Sequence, residues 1–225
     1  MGLLEKFIFR RGYWAHEDLN LDKAHRIRGI QFWNGVRDEG FKLGREFWIN
    51  ELGKGNFLLP IGGNDAHGDL NDTTVVSLPL FSLCRTRDHV FGKVRTAVKI
   101  QDSKEAFSGE ATTLSCETLN KAFDADNCYI TDGPALWWEK AERQVTFKAR
   151  NIDDFGGGFR YIRIYGRRKK LNAKQIPDEE LCRESLVATR AAEDIVVNTD
   201  NFAYLRAECE SADGHFAMTS AIPLE

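Results

Sequence analysis

Two hydrophobic rhythms divide the chain near residue 137. Before that point, apolar runs alternate with stretches of helical period; after it, short runs of period two are separated by turn signals. In the first part, residues 12–15 read as the end of a buried strand running into His16. Residues 29–33 form a second strand, closed by the turn pair Asn34-Gly35. A helix is predicted over 38–52. Phe41, Arg45, Trp48 and Leu52 fall on one stripe with Phe47 beside it, Asp38 and Glu39 suit the N-terminal end, and Gly53 suits the exit. Residues 57–61 make a short strand, although Pro60 sits poorly inside one. Another strand is expected over 90–99. A helix capped by Ser115 should follow, with Leu119, Ala122 and Phe123 inward, and then a strand over 128–131 that ends in the turn Asp132-Gly133-Pro134.

In the second part, Val145, Phe147 and Ala149 alternate with polar neighbours. So do Ala203, Leu205, Ala207 and Cys209, set against Tyr204, Arg206 and Glu208. A strand over 160–165 follows the turn Gly156-Gly157-Gly158, and residues 216–221 close the chain. The strand–helix–strand order of residues 1–136 predicts a parallel sheet or barrel, and the short strands of 137–225 predict a β-sandwich.

Composition narrows the function classes. The 225 residues are 42% hydrophobic, enough to bury a large core, and the net charge of −3 points to neither nucleic acid nor a membrane surface. There is no apolar run of spanning length and the first residues do not form a signal peptide, so a cytoplasmic location is expected. The five cysteines, Cys84, Cys116, Cys128, Cys182 and Cys209, include no C-x-x-C pair and read as reduced. The basic run Arg167-Arg168-Lys169-Lys170 reads as a solvated loop between strands and lacks an aromatic platform for nucleic acid. The glycine run 156–158 lacks the Lys-Ser/Thr of a phosphate loop.

The chemistry concentrates at Gly63-Asn64-Asp65-Ala66-His67, just after an apolar strand. Side chains two apart at a strand end point to one face, so Asp65 and His67 can reach one metal. A hard oxygen with an imidazole nitrogen suits Zn, Mn or Fe rather than Ca. The alternative is a turn in which Asp65 caps a backbone group and His67 is structural. His16 also follows a strand and is the next candidate ligand, with a structural role as its alternative. His25, His89 and His215 fall in charged or turn segments and are read as lacking a chemical role.

The segments Gly29-Ile30-Gln31-Phe32-Trp33-Asn34-Gly35 and Leu59-Pro60-Ile61-Gly62-Gly63-Asn64-Asp65-Ala66-His67-Gly68 carry a wider likeness. With the intervening helix, the run from Val90 to Val98 and the motif Cys128-Tyr129-Ile130-Thr131-Asp132-Gly133-Pro134, they resemble the C-terminal portion of PHP (polymerase and histidinol phosphatase) metallohydrolases. The likeness extends to Ala217-Met218-Thr219-Ser220-Ala221-Ile222-Pro223, which looks like the closing strand of that family's appended sandwich. The resemblance implies an α/β fold, a partial distorted (β/α) barrel of PHP type followed by an antiparallel β-sandwich. It implies divalent metals and hydrolysis of a phosphorylated small molecule or ester, with Asp65 and His67 as ligands and His16 as a third. Glu17 stands where the family often has Pro.

The family's opening His-x-His motif occurs nowhere in this chain. Two expectations follow. The chain is a C-terminal portion or truncated relative of a metal-dependent phosphoesterase, or it is a non-catalytic binding or assembly module derived from one. A partial barrel would leave strand edges uncovered, so self-association or a completing N-terminal segment is expected. Neither a membrane nor nucleic acid is an expected partner.

Overall fold

The computed structural model describes residues 28–64, 76–78, 81–83, 92–100, 115–124, 127–169, 180–185 and 190–224. Strand β1 (Gly29–Asn34), helix α1 (Glu39–Gly53) and strand β2 (Leu59–Gly63) form one right-sized crossover unit, with β1 and β2 parallel. Asp38 caps α1, its carboxylate accepting from the Phe41 amide at 3.0 Å. The helix buries Phe41, Trp48 and Leu52. The Trp48 indole Nε1 donates to the Leu58 carbonyl at 2.7 Å and so fixes the entry into β2.

Two short strands, β3 (Val76–Leu78) and β4 (Phe81–Leu83), pair with one another. β5 (Arg95–Val98), helix α2 (Cys116–Asp124) and β6 (Cys128–Thr131) follow. Then come β7 (Ala135–Ala141), β8 (Gln144–Arg150), β9 (Phe159–Arg168), β10 (Glu180–Ser185), β11 (Ala192–Asn198), β12 (Phe202–Ser211), β13 (Phe216–Thr219) and β14 (Ile222–Pro223). The main sheet has the order β10-β9-β12-β13-β6-β5, with β14 pairing β12, and its pairs are antiparallel. A second antiparallel sheet has the order β11-β8-β7.

The expected α/β barrel is overturned. Among the described residues, β1–α1–β2 is the single parallel unit, and β5 and β6 join an antiparallel sheet instead of extending it. The physical reason lies in β13. Its Ala217, Met218 and Thr219 pair with Thr131, Ile130 and Tyr129, so a strand far along the chain takes the edge of β6 that a barrel neighbour would occupy. The main sheet therefore spans residue 137, with β5 and β6 before it and β13 after it.

The main sheet is the middle of three layers. One face packs on the β7–β8–β11 sheet through Ile162, Ile164, Leu205, Ala207, Cys209 and Ala217, which meet Leu136, Val145, Phe147 and Ile195. The other face packs on β1 and α1 through Ile130, Tyr204, Phe216 and Met218, which meet Phe32, Trp33, Phe41 and Trp48. Phe216 stands edge-on to Trp33 at 5.7 Å and to Phe41 at 6.1 Å. Among the described residues, no helix is long and apolar enough to cross a membrane.

Candidate functional site

One end of the molecule collects three strand ends. β1 and β2 run side by side, Asn34 opposite Gly63, and the Gly35 amide donates to the Gly63 carbonyl at 3.0 Å. β2 lies over β5. The Gly62 amide donates to Thr96 Oγ1 at 2.9 Å, and that hydroxyl donates back to the Gly62 carbonyl at 3.1 Å. Two residues on, the Asn64 side chain accepts from the Val94 amide at 2.7 Å and donates to the Val94 carbonyl at 3.0 Å. These bonds set β2 antiparallel to β5. β6 is also antiparallel to β5, so β1, β2 and β6 all point the same way and finish at the same end.

The chain passes from Asn64 directly into Asp65 and His67. Both lie outside the described residues, as does His16. Among the described residues, no group of three His, Cys, Asp or Glu side chains is disposed to hold a metal ion.

The same end carries a pair that the sequence pattern did not single out. Asp132 closes β6, and its carboxylate accepts from the Phe216 amide at 2.6 Å. His215, in the turn between β12 and β13, brings Nδ1 to 3.7 Å from Asp132 Oδ1. Arg37, three residues beyond β1, donates to the Gly214 carbonyl at 2.6 Å and lies over the Phe216 ring at 5.0 Å. The turn signal Asp213-Gly214-His215 was visible in the sequence. That β13 carries this turn to the end of β6 was not, because the pairing spans most of a hundred residues.

Behind this end, a layer of charge lies between α1 and the main sheet. Glu208 accepts from Arg45 Nε at 2.8 Å and from Arg206 at 2.5 Å. Burial alone would raise the Glu208 carboxyl, but the charges of Arg206 and Arg45 and their hydrogen bonds outweigh it and hold the group below the ordinary carboxylate range. The Arg206 guanidinium is fully buried and stacks over Tyr165 at 4.5 Å and Trp48 at 5.5 Å. Glu210 accepts from Arg37 at 2.9 Å and from Arg160 at 2.7 Å. Burial, then the neighbouring Glu210 carboxylate, pushes the Tyr161 hydroxyl up to about 12.

The basic run departs from its expected loop. Arg167 and Arg168 belong to β9, Arg167 donating to the Gly53 carbonyl and Arg168 pairing with Glu180 at 2.6 Å while lying over Phe202. Cys128 and Cys209 are buried thiols, Cys182 is half-buried and Cys116 is exposed.

No family model matches the chain, and no curated protein matches it. Among solved structures, a hypothetical protein from Pyrococcus horikoshii OT3 is similar at a TM-score of 0.30 and 12% identity, over 42% of this chain and 89% of that one.

Proposed function

We propose that this chain is part of a metal-dependent hydrolase of the PHP type acting on phosphoesters, with Asp65, His67 and His16 as ligands to a divalent Zn, Mn or Fe ion. One observation carries the reading. The parallel strands β1 and β2 end together, the last residue before Asp65 is clasped to β5, and the chain runs from that anchored point into Asp-x-His. Ligands of a reactive metal need such a start, because small displacements of the first residues are costly in geometry and affinity. The donor set of one carboxylate and two imidazoles suits these borderline metals. The bound metal would lower the pKa of a water and stabilise charge developing on the phosphoryl oxygens.

The test is metal content and turnover of the full chain. After equilibration with Mn²⁺ or Zn²⁺ and dialysis, the chain should retain metal and hydrolyse p-nitrophenyl phosphate. The double variant Asp65→Asn/His67→Gln should lose both properties. A chain that retains none of these metals and shows no turnover overturns the reading.

A non-catalytic binding or assembly role is the second reading. It is favoured by the lack of a His-x-His motif, which leaves this chain with three of the ligands such a centre uses. Metal-independent self-association in sedimentation, with no turnover, is its expected signature.

A further inference from the structure

The first arginines of the basic run sit on the strand that supplies their missing aromatic partners. Down β9, Tyr161, Arg163, Tyr165 and Arg167 alternate with Ile162, Ile164 and Gly166. The isoleucines are buried against the β7–β8–β11 sheet. The tyrosines and Arg163 therefore face the α1 side of the main sheet. Register carries that face across three strands. Tyr165 lies between Arg206 of β12 and Leu181 of β10, and Arg163 between Glu208 and Glu184. Helix α1 covers the β12 part, where Arg45 meets Glu208 and Trp48 meets Arg206. Over β9 and β10 the face is partly open. Leu181 is 48% exposed, the Arg163 side chain is 37% exposed, and Tyr161 and Tyr165 are half-buried.

The side chains of this face are held in place. Arg163 lies over the Tyr161 ring at 4.0 Å and Arg206 over the Tyr165 ring at 4.5 Å. Glu184 accepts from Arg163 Nε at 2.6 Å. Rings and guanidinium plane are thus oriented before a partner arrives, and docking has little left to order. Tyr and Arg are enriched where proteins meet partners, whereas Lys, Glu and Ser fill surfaces left to water.

The face is also positive, in a chain of net charge −3. β9 holds four arginines and no carboxylate. Glu210 is shared by Arg37 and Arg160, which leaves one positive charge over, and the Arg160 side chain is 60% exposed. Arg167 bonds the Gly53 carbonyl rather than a carboxylate. A partner that uses this face must bring flat groups to the rings and anions to the arginines. Single-stranded nucleic acid carries both in every repeat: its bases stack on Tyr and Arg planes and its phosphates pair with Arg. An acidic protein segment would satisfy the arginines and leave the rings unused.

We propose that the α1-side face of β9 and β10 binds single-stranded nucleic acid, with bases stacked at Tyr161 and Tyr165 and phosphates at Arg160 and Arg167. The two rings lie about 13 Å apart along the strand, so the contact spans a short run of nucleotides. The inference stands independently of the hydrolase reading.

The test is anisotropy of a fluorescein-labelled twenty-nucleotide oligothymidylate titrated with the full chain. Binding should weaken by about sevenfold between 50 and 200 mM salt, as two phosphate contacts require. Arg160→Gln should flatten the logarithmic salt slope by about 0.7. Tyr165→Leu should weaken binding by about tenfold while Tyr165→Phe, which keeps the ring, leaves it unchanged. Tyr161→Leu reads the same loss at the other ring, should Tyr165→Leu fail to fold. No binding at 50 mM salt overturns the proposal, and so does equal affinity in the leucine and phenylalanine variants. Equally tight binding of a duplex of the same length, or of polyglutamate of the same charge, also overturns it, the last result marking the face as a site for an acidic protein.

Discussion

The Asn64 side chain clasps Val94, accepting from its amide at 2.7 Å and donating to its carbonyl at 3.0 Å. Val94 is buried and Asn64 half-buried, so both bonds are partly shielded from water. Asn64→Ala should therefore cost about 2 kcal/mol in urea unfolding, in the range for buried backbone groups left unpaired. Asn64→Asp keeps the acceptor and loses the donor, and should fall between the two. If the hydrolase reading holds, Asn64→Ala should also weaken metal retention by about tenfold, because Asp65 follows the lost anchor. Unchanged stability in Asn64→Ala would show that the clasp contributes nothing net.

Glu208 gives a prediction with a defined pH dependence. Removing its carboxylate takes away the charged acceptor that Glu208 offers to the Arg206 guanidinium, which is buried beside Trp48 and Tyr165. Glu208→Ala should cost about 3–5 kcal/mol at neutral pH, the usual penalty for breaking a buried ion pair from one side. The folded-state carboxyl is held low, so its stabilisation is fully present above the unfolded value of about 4.3 and is lost as pH falls through the lower folded value. Glu208→Gln carries no such titration. The stability gap between parent and Glu208→Gln should thus be largest near neutrality and shrink as pH is lowered below about 4. Chemical denaturation at several pH values measures it, and a gap independent of pH would contradict the assignment.

Trp48 links the helix to the start of β2. Its Nε1 donates to the Leu58 carbonyl at 2.7 Å in a site with no exposed indole surface. Trp48→Phe keeps most of the ring against Phe32 and Arg206 but leaves a buried carbonyl unpaired. Thermal unfolding should place the loss at about 1–3 kcal/mol. Trp48→Ala should cost about 3–5 kcal/mol through the cavity it opens.

Local signals were legible where local physics decides. The Asp38 cap and the Phe41–Trp48–Leu52 stripe foretold α1, observed as Glu39–Gly53. Arg45 was read on that stripe too, and its inward place is explained by Glu208 across the layer. The alternation of β12 was equally clear, but it implied an apolar face and a wet one. In the fold both faces are covered, and Tyr204, Arg206 and Glu208 are as buried as Leu205 and Ala207. A polar alternation can hide a second interface when its charges are paired, and no single-strand pattern reveals that. The barrel expectation extended β1–α1–β2 by analogy, whereas the β6–β13 pairing that replaces it is non-local. The Asp132–His215 pair was missed for the same reason. Asp65, His67 and His16 remain sequence-based candidates outside the described residues.

Two adjacent glycines at the end of β2 should respond differently to the same substitution. A Cβ at Gly62 would meet Val94 Cγ1 at 2.7 Å and Ile130 Cβ at 3.3 Å. Both neighbours are buried core residues, so β2 could accept the methyl only by moving off β5 and β6. Gly62→Ala should cost about 1–3 kcal/mol, as overpacking of a filled core does. A Cβ at Gly63 would instead meet Gln31 Nε2 at 2.8 Å, the far end of a flexible and exposed side chain. That amide can swing away, giving up its bond to Asn34, so Gly63→Ala should cost under about 1 kcal/mol. Urea unfolding of the two variants under one set of conditions decides the matter. Equal losses would mean that β2 is free to shift over β5 and β6.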